Sequence, residues 1–123
     1  MNPLDNRTVM LVEDEWLVRM ELVQAFEDEG CAVCESGSAE DAFILLGTTE
    51  NLDLLVTDIR LAGMMDGWRL ATAARERWPS LAVIYLSANP PMPDFHVPGG
   101  VFIDKPALMD SVVAAARKLV APF

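Results

Sequence analysis

Five short, apolar, β-rich runs punctuate this chain, and each is followed by a stretch of a different periodicity. The runs are Thr8–Val12, Cys31–Glu35, Leu54–Thr57, Ala82–Leu86 and Val101–Ile103. Strands alternating with helical patterns are the mark of repeated βα units and a parallel sheet. The first helix is expected over about 15–29, with Val18, Leu22, Ala25 and Phe26 forming an inward stripe and Gly30 closing it. Ser38-Ala39-Glu40-Asp41 reads as a capping-box variant that opens a second helix through about Leu46. A third runs from near Asp66 to about Trp78, where Pro79 stops it. The last is expected from Pro106, a good first-turn residue, with Leu108, Val112, Ala115 and Leu119 inward. Between Ser87 and Gly100 the pattern breaks on Pro90, Pro91, Pro93 and Pro98. A proline inside a helix costs about 3 kcal/mol, so this crossover is expected to be a loop or a short stub.

At 123 residues the chain is expected to be a single domain over 1–123, with 1–6 as an N-terminal tail. Apolar content of 52% beside 23% charged residues fits a globular fold and argues against disorder. The net charge of −10 and the lack of a basic stripe argue against direct nucleic-acid binding. No run reaches membrane-span length and the start carries no signal-like apolar stretch, so a cytoplasmic location is expected. Cys31 and Cys34 have C-x-x-C spacing, but they fall inside a β-like segment where residues three apart face opposite ways. They read as ordinary apolar cysteines rather than a redox or metal pair.

The chemistry-bearing residues fall just past the apolar runs. Glu13 and Asp14 follow VMLV, Asp58 follows LLVT, Ser87 follows VIYL and Lys105 follows VFID. In open α/β sheets, ligands bind beyond the carboxyl ends of the strands, and there these five would meet. Three neighbouring carboxylates repel one another and call for a divalent, oxygen-seeking cation such as Mg²⁺. A lysine and a hydroxyl beside them suit an anionic phosphoryl group. Each residue also has a plainer reading. The acid pair would cap a helix at its positive end, Asp58 would begin a loop, Ser87 would be structural and Lys105 solvated.

This order of acid pair, single acid, hydroxyl and Lys105-Pro106 resembles the receiver domain of bacterial two-component response regulators, of the stand-alone, CheY-like kind. The resemblance implies a flavodoxin-like (βα)5 fold, doubly wound with strand order 2-1-3-4-5 and its fourth helix shortened or replaced by the proline-rich loop. It implies that Asp58 is the phosphoacceptor, a nucleophile toward phosphohistidine. Glu13, Asp14, Asp58 and the backbone carbonyl of Arg60 would hold Mg²⁺. Lys105 and Ser87 would contact phosphoryl oxygens, with Ser87 and Phe102 acting as the switch. The implied role is a phosphorelay acceptor that alters protein–protein contacts and is not an enzyme beyond its own phosphotransfer and dephosphorylation. Its partners would be a sensor histidine kinase or histidine phosphotransfer protein and a downstream protein, with a homodimer also open. The GMMDGW stretch is similar to stand-alone receivers paired with HWE-class histidine kinases. Departures from the family pattern are Ala62 where proline is common, a loop after Asp58 one residue longer, and a short interval before Lys105.

A second apolar stripe on the first helix, Trp16, Met20 and Val23, would pair with Met109 and Val113 of the last helix as a kinase-docking face. Three rival functions stay open. A Mg²⁺-dependent aspartyl phosphatase wants a D-x-D pair after the first strand, which Glu13-Asp14-Glu15 lacks. A flavin-binding module wants a Ser/Thr/Gly-rich loop there. A pseudo-receiver would share the fold but signal without phosphate.

Overall fold

The computed structural model describes residues 2–60, 66–87 and 96–120. Ala62, Asn89 and the prolines at 90, 91 and 93 lie outside the described residues. The elements run β1 (Thr8–Val12), α1 (Trp16–Asp28), β2 (Ala32–Ser36), α2 (Ala39–Thr48), β3 (Leu54–Asp58), α3 (Gly67–Arg77), β4 (Ala82–Ser87), β5 (Val101–Asp104) and α4 (Met109–Val120). The strands form one parallel sheet in the order β2-β1-β3-β4-β5. This is the expected doubly wound, flavodoxin-like architecture. Between β4 and β5 the described residues form no helix.

The sheet is buried on both faces because its central strands are apolar almost throughout, as parallel strands covered by helices must be. One face packs Met10, Leu55, Val83 and Tyr85 against α2 and α3 residues such as Leu46, Leu70 and Ala74. The other packs Leu11, Val56 and Ile84 against Leu22 and Phe26 of α1 and Val112 and Ala116 of α4. Successive strand residues point to opposite faces, so neighbours in one strand feed different clusters.

Local signals set most boundaries. Ser38 accepts a hydrogen bond from the Asp41 N–H at 3.2 Å, and Asp66 from the Arg69 N–H at 3.0 Å, so both cap their helices. Gly30 follows the end of α1 at φ +88°, a left-handed conformation that glycine tolerates. The second strand begins at Ala32, one residue later than expected. The Cys31 N–H is taken by the Phe26 carbonyl, and the ladder starts only when the Ala32 N–H reaches Arg7.

The last helix corrects a larger expectation. It begins at Met109, not Pro106, because the Ser111 and Val112 N–H groups both bond the Leu108 carbonyl. Its phase differs too. Leu108 is 74% exposed, and the buried positions are Val112, Val113 and Ala116.

The N-terminal segment is tied to the body. Leu4 is fully buried, and Asn2 donates to the Glu29 side chain at 3.1 Å. Cys31 is buried there, its Sγ 3.3 Å from the Leu4 carbonyl, and burial first of all pushes its pKa to about 11. Both cysteines are free, and the Cys34 thiol is shifted upward by burial as well. Neither is expected to react with Ellman's reagent at pH 8 until the protein is denatured; fast labelling of the native chain would contradict this burial. Because folding raises the Cys31 pKa from 9.0 to about 11, its contribution to stability falls as pH climbs through that interval.

Candidate functional site

Parallel pairing places every strand's carboxyl end on one edge. Val12 is level with Ser36 and Thr57, Asp58 with Leu86, and Ser87 with Asp104. Glu13, one residue past β1, is fully buried, whereas Asp14 is exposed. Asp58 and Ser87 are the last residues of β3 and β4, and both are buried. Lys105 extends the β5 ladder by one step, its N–H donating to the Ser87 carbonyl at 2.8 Å.

The side chains converge. Carboxylate oxygens of Glu13, Asp14 and Asp58 lie within 4.8 Å of one another. Lys105 Nζ donates to Asp58 Oδ2 at 2.8 Å and to Glu13 Oε1 at 3.1 Å. It also stands 2.8 Å from Glu13 Oε2, but at an angle that makes no hydrogen bond. That buried oxygen therefore lacks a directed donor. Asp58 Oδ1 accepts the Arg60 N–H at 3.3 Å, and Glu13 Oε1 also accepts the Glu15 N–H at 3.2 Å.

Burial raises the Glu13 pKa, partly opposed by its hydrogen bonds from Lys105 and Glu15. Burial also lowers the Lys105 pKa, but the hydrogen bonds to Asp58 and Glu13 outweigh it and the net shift is upward. The ammonium thus stays charged between two acids. Three carboxylates from two strand ends, one with an undirected buried lone pair, form an all-oxygen donor set of the kind hard divalent cations take.

Gly67 opens α3 where no larger residue fits. An added Cβ would lie 2.2 Å from the Asp58 carbonyl oxygen, and the Gly67 N–H bonds the Ile59 carbonyl at 2.9 Å. The turn after Asp58 is thereby pinned to the helix start.

Phe102 is half-buried on β5 and closed in by rings. It stacks on Tyr85 with centroids 5.1 Å apart at 22°, lies 5.5 Å from Trp68, and meets His96 edge-on at 5.2 Å. Tyr85 is fully buried and its hydroxyl accepts the Val97 N–H at 3.0 Å.

The expected docking stripe divides. Trp16 and Met20 are exposed, at 60% and 49%, and Val23 and Met109 are half-buried. Val113 is buried in the core cluster with Leu22 and Phe26, so it cannot form part of a surface; the rotated phase of α4 is the reason. The exposed apolar residues at these two helices' ends also include Leu17, which the periodicity argument did not name, and Leu108, which it placed inward. The groove between α1 and α4 is acidic, lined by Glu21, Asp28, Glu29 and Asp110 beside Arg117.

Arg19, a half-buried base on α1, also carried no sequence signal beyond being the helix's lone basic residue. It donates to the Glu13 carbonyl at 2.8 Å and pairs with Glu35 at 3.1 Å.

The acid cluster and the bridging lysine at the carboxyl edge of a doubly wound parallel sheet together form the arrangement of a receiver domain. The response regulator receiver domain profile matches residues 9–116, and the chain belongs to that family. Among solved structures it is similar to a response regulator receiver protein from Sinorhizobium medicae WSM419, at 28% identity and a TM-score of 0.89 over 95% of this chain and 96% of that one. A CheY-like receiver domain protein from Methanospirillum hungatei JF-1 shares the fold at 22% identity and a TM-score of 0.82, covering 94% of each chain. The receiver domain of an HD domain-containing protein from Pseudomonas fluorescens Pf-5 does so at 20% identity and 0.80, over 93% and 94%. No curated protein sequence matches the chain. Among the described residues, no helix is long and apolar enough to cross a membrane.

Proposed function

We propose that the chain is a phosphoacceptor of a two-component phosphorelay, with Asp58 as the residue that carries the phosphoryl group. The observation that carries this reading is the bridging of Glu13 and Asp58 by Lys105 at the sheet edge, with Asp14 beside them. A carboxylate oxygen of Asp58 attacks phosphorus, the P–N bond of a phosphohistidine breaks, and the imidazole leaves with the bond's electron pair. Glu13, Asp14 and Asp58, with the Arg60 backbone carbonyl, are the residues that would hold Mg²⁺, and the ion would neutralise charge on the transferring phosphoryl. Lys105, already hydrogen-bonded to Asp58, is placed to hold a phosphoryl oxygen afterwards. Ser87 ends the neighbouring strand and is assigned the hydroxyl contact.

The chain is thus a stoichiometric acceptor rather than a catalyst with turnover. Incubation with acetyl phosphate and Mg²⁺ should add one phosphoryl group per chain by intact mass, and removing Mg²⁺ with EDTA should prevent it. A chain that gains no mass under these conditions would leave the pseudo-receiver reading in its place.

The donor is proposed to be a histidine kinase or histidine phosphotransfer protein that meets α1 near Trp16, Leu17 and Met20. The exposure of these three apolar residues within two turns of the acid pair supports that choice. Trp16→Ala should slow phosphotransfer from the cognate kinase about tenfold, the cost of one aromatic anchor, while acetyl phosphate still labels Asp58 at the wild-type rate. Equal transfer from the kinase in both proteins would move the docking surface elsewhere.

A further inference from the structure

We propose that Arg19 is a positioning residue for the metal-binding acids, holding the Glu13–Asp14 peptide in the orientation that lets both carboxylates reach one cation. The proposal rests on the Mg²⁺ reading above and adds a residue that reading does not use.

The Glu13 residue is gripped at its N–H, its carbonyl and one carboxylate oxygen. Its N–H donates to the Ser36 carbonyl at 3.1 Å, which fixes it to the end of β2. Its carboxylate is held by Lys105 and the Glu15 N–H. Its carbonyl, which lies past the last rung of β1, accepts from Arg19 Nη1 at 2.8 Å. That carbonyl belongs to the peptide unit leading into Asp14. Without a partner the unit is free to rotate, and rotation swings the Asp14 side chain about the buried Glu13.

Arg19 is itself braced. Its Nε pairs with Glu35 on the edge strand β2 at 3.1 Å, and its side chain is only 19% exposed. Gly37 leaves the space that the guanidinium tip occupies, since a Cβ there would lie 2.8 Å from Nη1. A charged donor on a carbonyl makes one of the stronger hydrogen bonds a side chain can offer. Groups that orient metal ligands from behind typically change metal affinity by ten- to a hundredfold when removed. Arg19 touches no atom of the reacting group and acts only through Glu13.

Calorimetric titration of the unphosphorylated full chain with Mg²⁺ tests this. Arg19→Met should weaken Mg²⁺ binding about tenfold, and Arg19→Lys, which keeps one donor, should recover much of the loss. Glu35→Ala, which removes the brace but leaves the carbonyl contact, should change the affinity less than Arg19→Met does. Gly37→Ala supplies a second route that retains the arginine but displaces its tip, and it should weaken binding in the same direction. Wild-type affinity in both Arg19→Met and Gly37→Ala would overturn the proposal, as would a loss in Arg19→Met that Arg19→Lys fails to relieve. A wild-type chain that takes up no Mg²⁺ would overturn the metal reading and this proposal with it.

Discussion

Asp58→Asn is expected to abolish the mass gain produced by acetyl phosphate and Mg²⁺, leaving a folded protein that cannot be labelled. The amide keeps the shape and volume of the side chain, and a buried residue at the end of β3 tolerates such a swap better than a change of size. It removes the nucleophilic oxygen and the negative charge that Lys105 Nζ meets at 2.8 Å. Lys105 retains Glu13, so the ammonium is not stranded and the site should not collapse. Intact mass spectrometry of the two proteins side by side reads the outcome. Equal labelling of the asparagine variant would place the acceptor on another residue and dissolve the role assigned to Asp58.

Gly67→Ala should destabilise the fold by about 3 kcal/mol, the upper part of the usual range for forced overpacking. The position is buried and the clash is with backbone: the new Cβ would sit 2.2 Å from the Asp58 carbonyl oxygen and 3.0 Å from Ile59 Cα. No side chain can rotate away to relieve it, so either α3 or the turn after Asp58 must shift. Urea denaturation gives the free energy, and slower labelling by acetyl phosphate should accompany it because the turn carries Asp58. A loss smaller than about 0.5 kcal/mol, the scatter of ordinary surface changes, would mean the turn and helix yield freely at that point.

The sheet was legible because its strands are short apolar runs, and the parallel alternation with helices fixed the side on which Glu13, Asp58, Ser87 and Lys105 emerge. Order along the chain was then enough to bring Glu13, Asp58 and Lys105 together, with Ser87 ending the strand between them, even though Lys105 lies ninety-two positions from Glu13. The last helix was misread for a physical reason. Met109, Val112, Val113, Ala115, Ala116, Leu119 and Val120 put apolar residues on most of its circumference, so periodicity alone could not choose the buried phase. Pro106 supplied a plausible start, but the first helical hydrogen bonds go to the Leu108 carbonyl. Arg19 and Gly67 were opaque for another reason. Their importance lies in which backbone carbonyl they approach, and that depends on the adjacency of β1 with β2 and of α3 with the end of β3.

The four-ring cluster around Phe102 gives the protein an optical property of its own. Indole emission responds to the groups against it, and Trp68 lies 4.8 Å from Tyr85 and 5.5 Å from Phe102. With Trp16 and Trp78 replaced by phenylalanine, any reorientation of the β5 aromatic registers directly in the light from a single chromophore. Should phosphorylation by acetyl phosphate reorient Phe102, that single emitter would report it in real time without a dye or a tag.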